Sequence, residues 1–156
     1  MAVDKVKKFF ESLGEVQKVV EFEESTATSA QAAQVLGCEV GRIAKTISVF
    51  VDKKPILVLM SGDKKIDNQK FRAKFNCRPH MIPIDEVENL IGHAVGGVCP
   101  FAVNDDVPIY LDESLRRFEF IYPAAGSSNS VVKLTLDELP RYINFVEWID
   151  VSKLNF

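Results

Sequence analysis

The sequence predicts an α+β fold, a single domain over residues 1–156 in which a mixed, curled, barrel-like β-sheet carries flanking helices. Two runs rich in β-branched residues face each other across Asp52-Lys53-Lys54-Pro55, which places a strand hairpin about a third of the way along the chain. Short apolar segments bounded by Gly, Pro, Asn or Asp recur after it, and helix caps and glycine stops interrupt them irregularly, without the regular alternation of a parallel α/β fold. No repeat, low-complexity tract or linker divides the chain. A domain of this length buries roughly two-thirds of the surface its unfolded form exposes, so no disulfide staple is required.

The elements follow in order. Val3, Val6, Phe9, Phe10 and Leu13 recur at helical spacing ahead of Gly14, which predicts an amphipathic helix with a glycine stop. Residues 18–22 read as a short strand. Thr28 or Ser29 can cap a helix over 30–36, and Gly37 can end it in the left-handed conformation. Residues 43–51 and 56–60 form the hairpin, both strands largely buried. Asp67 caps a helix through Phe75, and another short helix covers 84–91. Between them Pro79 restricts residues 78–81 to a short edge strand, because proline has no amide to give to a ladder. Residues 109–111, 118–122 and 131–134 are strands. Thr135-Leu136-Asp137-Glu138 fits a capping box that opens a helix to about Tyr142, and 145–149 is the last strand. The expectation is roughly six to eight strands and four or five helices.

Composition narrows the function classes. With 47% hydrophobic and 26% charged residues the chain reads as soluble, and no apolar run approaches the ~20 residues that span a bilayer, so no membrane role is expected. Met1-Ala2-Val3-Asp4-Lys5 lacks the apolar centre of a secretory signal, and Cys38, Cys77 and Cys99 are odd in number and widely spaced. Reduced thiols and a cytoplasmic location are expected. No CxxC or HxxxH spacing occurs, so no metal is expected. The net charge of −3 hides an asymmetry: between Lys53 and Arg78 eight basic residues stand against Asp63 and Asp67, giving +6 there and −9 elsewhere. Lys64, Lys65, Lys70 and Lys74 are therefore candidates to follow an RNA phosphate backbone, with an ordinary solvated face as the alternative.

Three segments could carry chemistry. In Arg42-Ile43-Ala44-Lys45-Thr46-Ile47 the strand alternation turns Lys45 away from Ala44 and Thr46, onto the face of Ile43 and Ile47. A lysine there either snorkels at a rim or has a task in a pocket. In Gly92-His93-Ala94-Val95-Gly96-Gly97-Val98-Cys99-Pro100-Phe101 the paired glycines allow close backbone approach to a ligand; the alternative is a plain tight connection. In Ala124-Ala125-Gly126-Ser127-Ser128-Asn129-Ser130 the hydroxyls suit a ribose or an adenine, or simply a hairpin tip. His93 and Cys99 lie close in sequence, yet no third group orients the histidine, so Cys99 reads as a small buried residue and not as a nucleophile.

Together these segments resemble the YbaK/prolyl-tRNA editing family over nearly the whole chain. The resemblance rests on Ile43-Ala44-Lys45-Thr46, on the G-x-x-x-P loop Gly96-Gly97-Val98-Cys99-Pro100, and on residues 122–134 ahead of the final helix. It implies a trans-editing deacylase that hydrolyses the ester between an amino acid and the terminal adenosine of a tRNA, without metal or cofactor. Lys45 would help hold the acceptor end, and Gly96, Gly97 and Pro100 would place the carbonyl or the attacking water. Thr46, His93, Gly126 and Ser127 would contact substrate. The implied partners are the acceptor end of mischarged proline tRNA and prolyl-tRNA synthetase. Ala124 and Val131 stand where the cysteinyl-specific branch has a serine and an aspartate, which favours small side chains such as alanyl or 2-aminobutyryl and leaves seryl and threonyl open. A cysteinyl-tRNA deacylase and a non-catalytic tRNA-binding module of the same fold are the alternatives.

Overall fold

The computed structural model describes residues 2–155. Helix α1 (Ala2–Ser12) turns Val3, Val6 and Phe10 inward. Strand β1 (Val19–Glu21) leads to α2 (Ser29–Leu36), where Thr28 accepts from the Gln31 amide at 3.1 Å while the Gln31 side chain returns to the Thr28 amide. Gly37, at φ +67°, ends that helix. The hairpin is β2 (Ile43–Val51) and β3 (Lys54–Ser61), joined through Asp52 and Lys53 at φ 53° and 68°. Two consecutive left-handed residues give the turn a twist that matches its strands. Strand β4 (Lys64–Ile66), α3 (Asn68–Phe75) capped by Asp67, β5 (His80–Met81) and α4 (Ile84–Ile91) complete the first half. The second half holds β6 (Ile109–Asp112), β7 (Phe120–Pro123), β8 (Ser130–Val132), β9 (Leu134–Thr135), α5 (Leu139–Tyr142), β10 (Trp148–Ile149) and β11 (Ser152–Leu154).

The main sheet has the order β10-β6-β3-β2-β7-β9, with β5 also on β2. Strands β2 and β3 pair antiparallel from Ala44↔Ser61 to Val51↔Lys54, whereas β6 on β3, β10 on β6 and β7 on β2 are parallel. The ribbons β1/β8 and β4/β11 extend the curl into a half-barrel. Apolar residues fill both faces. One core gathers Phe10, Leu57, Leu59, Phe101, Ile121 and Leu134, and the other joins Val49, Val58, Met60, Phe71 and Val151 under α3. No helix among the described residues is long and apolar enough to cross a membrane.

Three expectations change. The strand expected over 131–134 divides: β8 pairs with β1 and β9 with β7, because Ser130, Val131 and Val132 are all buried and the chain passes from one ribbon to the sheet at exposed Lys133. The last expected strand shrinks to Trp148–Ile149, although Val146 still donates to the Ile109 carbonyl at 2.7 Å. Strands β4 and β11 and the 3-10 turn Glu113–Arg117 are additions, which brings the described residues to eleven strand segments. Both added strands are three residues long and lysine-containing, so hydropathy does not mark them.

One buried carboxylate ties the end of the sheet together. Asp112 has no exposure and accepts from the Ser114 amide at 2.9 Å, the Val151 amide at 2.9 Å and Ser152 Oγ at 2.6 Å. Removing it would strand three donors out of reach of water. Asp112→Ala is therefore expected to lower the unfolding free energy in urea titration by about 3 kcal/mol or more. A change within about 0.5 kcal/mol, the size of an ordinary surface substitution, would show that water takes over these donors.

Candidate active site

The site begins with an interruption in strand pairing. The Gly62 amide donates to the Ile43 carbonyl at 2.7 Å, so odd-numbered residues of β2 turn their backbone groups to β3 and even-numbered ones to the opposite edge. On that opposite edge β7 covers Ile43 and Ala44, and β5 covers Val49 and Phe50. Residues 45–48 face no strand. The Thr46 N–H and C=O consequently point into a gap. Strand β5 is short because Pro79 and Pro83 flank it and neither can donate to a ladder.

A cavity of about 310 Å³ opens at this gap, at the small end of the roughly 300–1,000 Å³ typical of ligand sites. Its walls come from β2 (Lys45, Thr46, Ser48), the start of α2 (Thr28, Ser29), α4 (Ile84, Val87), the glycine loop (Val95, Gly96, Val98), and Ala124 with Val131, which form a β-bridge to each other. Lys45 and Tyr122 are the only titratable residues among the described lining. The wall therefore offers no pairing of a nucleophile with a histidine or carboxylate base. The lip is apolar and open to solvent, with Met81 70% and Ile84 78% exposed.

Lys45 lies on the lip, half-buried, and its Nζ donates to the Lys64 carbonyl. Partial burial holds its ammonium below the usual lysine range, and the Asp63 carboxylate opposes that shift. Its contact is thus a neutral carbonyl that a stronger acceptor can displace. Thr46 Oγ1 is buried without a hydrogen-bond partner in the protein. A hydroxyl left so costs about 1–3 kcal/mol, which makes it a poor structural choice and a good place for a polar ligand group.

The two glycine-containing loops meet backbone to backbone. A Cβ on Gly97 would lie 2.6 Å from the Gly126 carbonyl carbon and oxygen and 2.8 Å from the Ser127 nitrogen, so only glycine fits. Gly96, at φ +95°, lines the cavity beside it. Gly97 and Gly126 therefore fix the distance between loops and do not themselves form the wall. Ser127 Oγ is occupied by Asn129 Oδ1 at 2.8 Å and Ser130 Oγ at 2.6 Å and is likewise off the wall. Pro100 backs the loop from the far side, in a depression shared with Phe9 and Tyr142.

His93, expected to touch substrate, lies in the core and not on the cavity. Its ring follows the apolar end of α4 inward, where Nε2 donates to the Phe101 carbonyl at 2.6 Å and stands 3.4 Å from Cys99 Sγ. This puts the proton on Nε2 and leaves Nδ1 buried and bare. Burial lowers the imidazole pKa, and the same burial pushes the Cys99 thiol up to about 12. A thiol so held is no nucleophile at neutral pH, in keeping with the structural reading of Cys99.

The four expected RNA-contacting lysines also lie off the cavity wall. Lys70 pairs with Asp150 at 3.0 Å and Lys74 with Glu147 at 2.8 Å, so acidic residues from the C-terminal segment offset part of the charge that the linear sequence concentrates. Lys64 and Lys65 sit on β4. Among the described residues no group of three or more His, Cys, Asp or Glu could hold a metal ion. Sequence reasoning missed the start of α2, Tyr122 and the α4 wall; an apolar residue such as Ile84 carries no local sign that it lines a site and not a core.

The described lining is a small, largely apolar cavity that carries one lysine, one tyrosine and several hydroxyls, among them Thr28, Ser29, Thr46 and Ser48, the make-up of a site for a small, partly polar group. Comparison with known proteins gives this site a family. Residues 23–142 match the family model described as aminoacyl-tRNA editing domain, and the chain belongs to that family. It is 42% identical over 154 residues, 98% of each chain, to "Uncharacterized protein YwhH" of Bacillus subtilis (strain 168). It is 27% identical over 113 residues to the "Putative Cys-tRNA(Pro)/Cys-tRNA(Cys) deacylase EbsC" of Enterococcus faecalis (strain ATCC 700802 / V583), covering 71% of this chain and 69% of that one. A solved structure described as "a putative trans-editing enzyme for prolyl tRNA synthetase" superposes with a TM-score of 0.86 at 31% identity over 97% of both chains.

Two measurements test this anatomy. Gly97→Ala should push the 92–101 and 124–130 loops apart and abolish turnover of whatever the cavity binds, at a stability cost of about 1–3 kcal/mol; full activity would mean the loops need not touch. For His93, the native state resists a proton that the unfolded chain accepts near the ordinary value of 6.5. The unfolded state then binds more protons below that value, so stability should fall as pH drops through it. His93→Gln, which keeps a donor near Nε2, should lack this part of the slope.

Proposed function

We propose that the protein is a trans-editing hydrolase acting on mischarged proline tRNA, removing small aminoacyl groups such as alanyl or 2-aminobutyryl. The observation that carries the reading is the cavity itself: small, apolar at Ala124 and Val131, and without a nucleophile and base on its described wall. An aminoacyl ester is already activated, so orienting it and stabilising charge on its carbonyl oxygen can supply much of the rate enhancement. In this reading water adds to the ester carbonyl, the bond to the ribose oxygen breaks, and the water proton ends on that oxygen. The products are the free amino acid and the tRNA 3′-terminal hydroxyl. Lys45 holds the acceptor end through charge at the lip, and the backbone at Gly96 flanks the carbonyl. No step is assigned to a metal or cofactor. The enzyme acts in the cytoplasm alongside prolyl-tRNA synthetase, which supplies the mischarged substrate.

Steady-state deacylation of alanyl, 2-aminobutyryl, seryl, cysteinyl and prolyl esters on the same tRNA tests the proposal. The alanyl and 2-aminobutyryl esters should be cleared and differ from each other by roughly 10- to 200-fold, the range an apolar pocket provides per methylene. The prolyl ester should be spared; its rapid hydrolysis would end the editing reading, and a dominant cysteinyl activity would move the specificity to that of the named Enterococcus relative. Lys45→Ala should lower kcat/KM by about 100-fold, comparable to loss of one preorganised electrostatic contact, with an unchanged circular dichroism spectrum.

A further inference from the structure

The gap on β2 has the dimensions of one residue of a strand. If β5 continued in its present register, with Phe50 opposite His80 and Val49 opposite Met81, residue 84 would stand opposite Thr46. It does not, because Pro83 turns the chain into α4. Thr46 therefore presents the complete hydrogen-bonding face of a strand residue, N–H and C=O, toward a position that the chain leaves. Its side-chain Oγ1, on the cavity side, is buried and equally without a partner.

An α-aminoacyl ester carries a donor on its nitrogen and an acceptor on its carbonyl oxygen at the spacing of a strand residue. Resting on the deacylase reading, we propose that the aminoacyl group binds as a single added residue of β-strand paired with Thr46. Its ammonium donates to the Thr46 carbonyl, and the Thr46 amide donates to the ester carbonyl oxygen, the two bonds that directly opposed antiparallel residues exchange. That second bond places a backbone donor on the oxygen where charge develops when water adds.

Three features of recognition follow. Directly paired residues project their side chains to the same face, so an L side chain enters the cavity with that of Thr46, toward Val98, Ala124 and Val131. A D side chain projects to the opposite, outer face. A primary ammonium can rotate an N–H toward the Thr46 carbonyl, whereas the ring of proline fixes the directions of its N–H bonds. The backbone of β2 thus reads chirality and the primary amine, and leaves side-chain size to the cavity wall.

The test uses the whole unmodified protein and the non-hydrolysable amide 3′-(L-alanylamino)-3′-deoxyadenosine, with amide hydrogen exchange followed residue by residue by NMR. Saturating analogue should slow exchange of the Thr46 amide at least tenfold, and the D-alanyl and L-prolyl analogues should bind at least tenfold more weakly. Binding without protection at Thr46, or equal affinity for both alanyl epimers, would overturn the inference and leave deacylation standing. So would failure of the L-alanyl analogue to bind a protein that deacylates alanyl-tRNA. A protein that neither binds the analogue nor deacylates any of the five esters would sink both readings together.

Discussion

Strand β2 is asked to do two incompatible things on one edge. Near its start it accepts β7 running parallel to it, and near its end it accepts β5 running antiparallel. These two partners run in opposite senses along the same line, so no continuous strand can join them, and with β7 ending opposite Ala44 and β5 ending at Met81 before Pro83, residues 45–48 are left uncovered on that edge. The other edge of β2 is locked to β3 along its length, so the strand cannot shift to close the opening. Everything that defines the site is arranged around that stretch: the start of α2 and Lys45 on the outer side, α4 and the glycine loop on the inner side.

What keeps the glycine loop in place is a set of tethers away from the cavity. His93 bonds to Phe101 across the loop, the Phe101 ring packs against Phe10 of α1 at 5.1 Å, and Lys5 Nζ reaches the Gly92 carbonyl at 2.9 Å. The loop thus inherits its position from the first helix and the core, and Gly97 transmits that position to the 124–130 loop through backbone contact. Rigid backbone dipoles suit a site that relies on orientation, because they need no reorganisation when charge appears.

The helices and the hairpin were legible because their signals are local: Thr28 and Asp67 as caps, Gly37 as a stop, Asp52-Lys53 as a turn. The facing of Lys45 was legible from strand alternation, and the family from the spacing of Lys45 and the Gly96 to Pro100 loop. Long-range facts were not. The ion pairs of Lys70 and Lys74 form with residues more than seventy positions away, so charge summed along the chain overstated charge in space. The nearness of His93 to the glycines suggested a place in the site, yet α4 carries it to the core side of the loop. The strands β4 and β11 are too short and polar to announce themselves and exist because each supplies the other's edge.

The bridge between Ala124 and Val131 has a bearing on how such proteins diverge. Those two side chains line the cavity, whereas other contacts that hold the backbone around it sit in Gly97, Gly126, His93 and Phe101. A substitution at 124 or 131 alters the shape and polarity of the lining and also acts on the bridge that closes the 124–130 loop and, at Val131, on the pairing with Val20 of β1. Divergence of the lining at these two positions is therefore confined to side chains that the bridge and the β1 pairing tolerate, so that shape and scaffold change together.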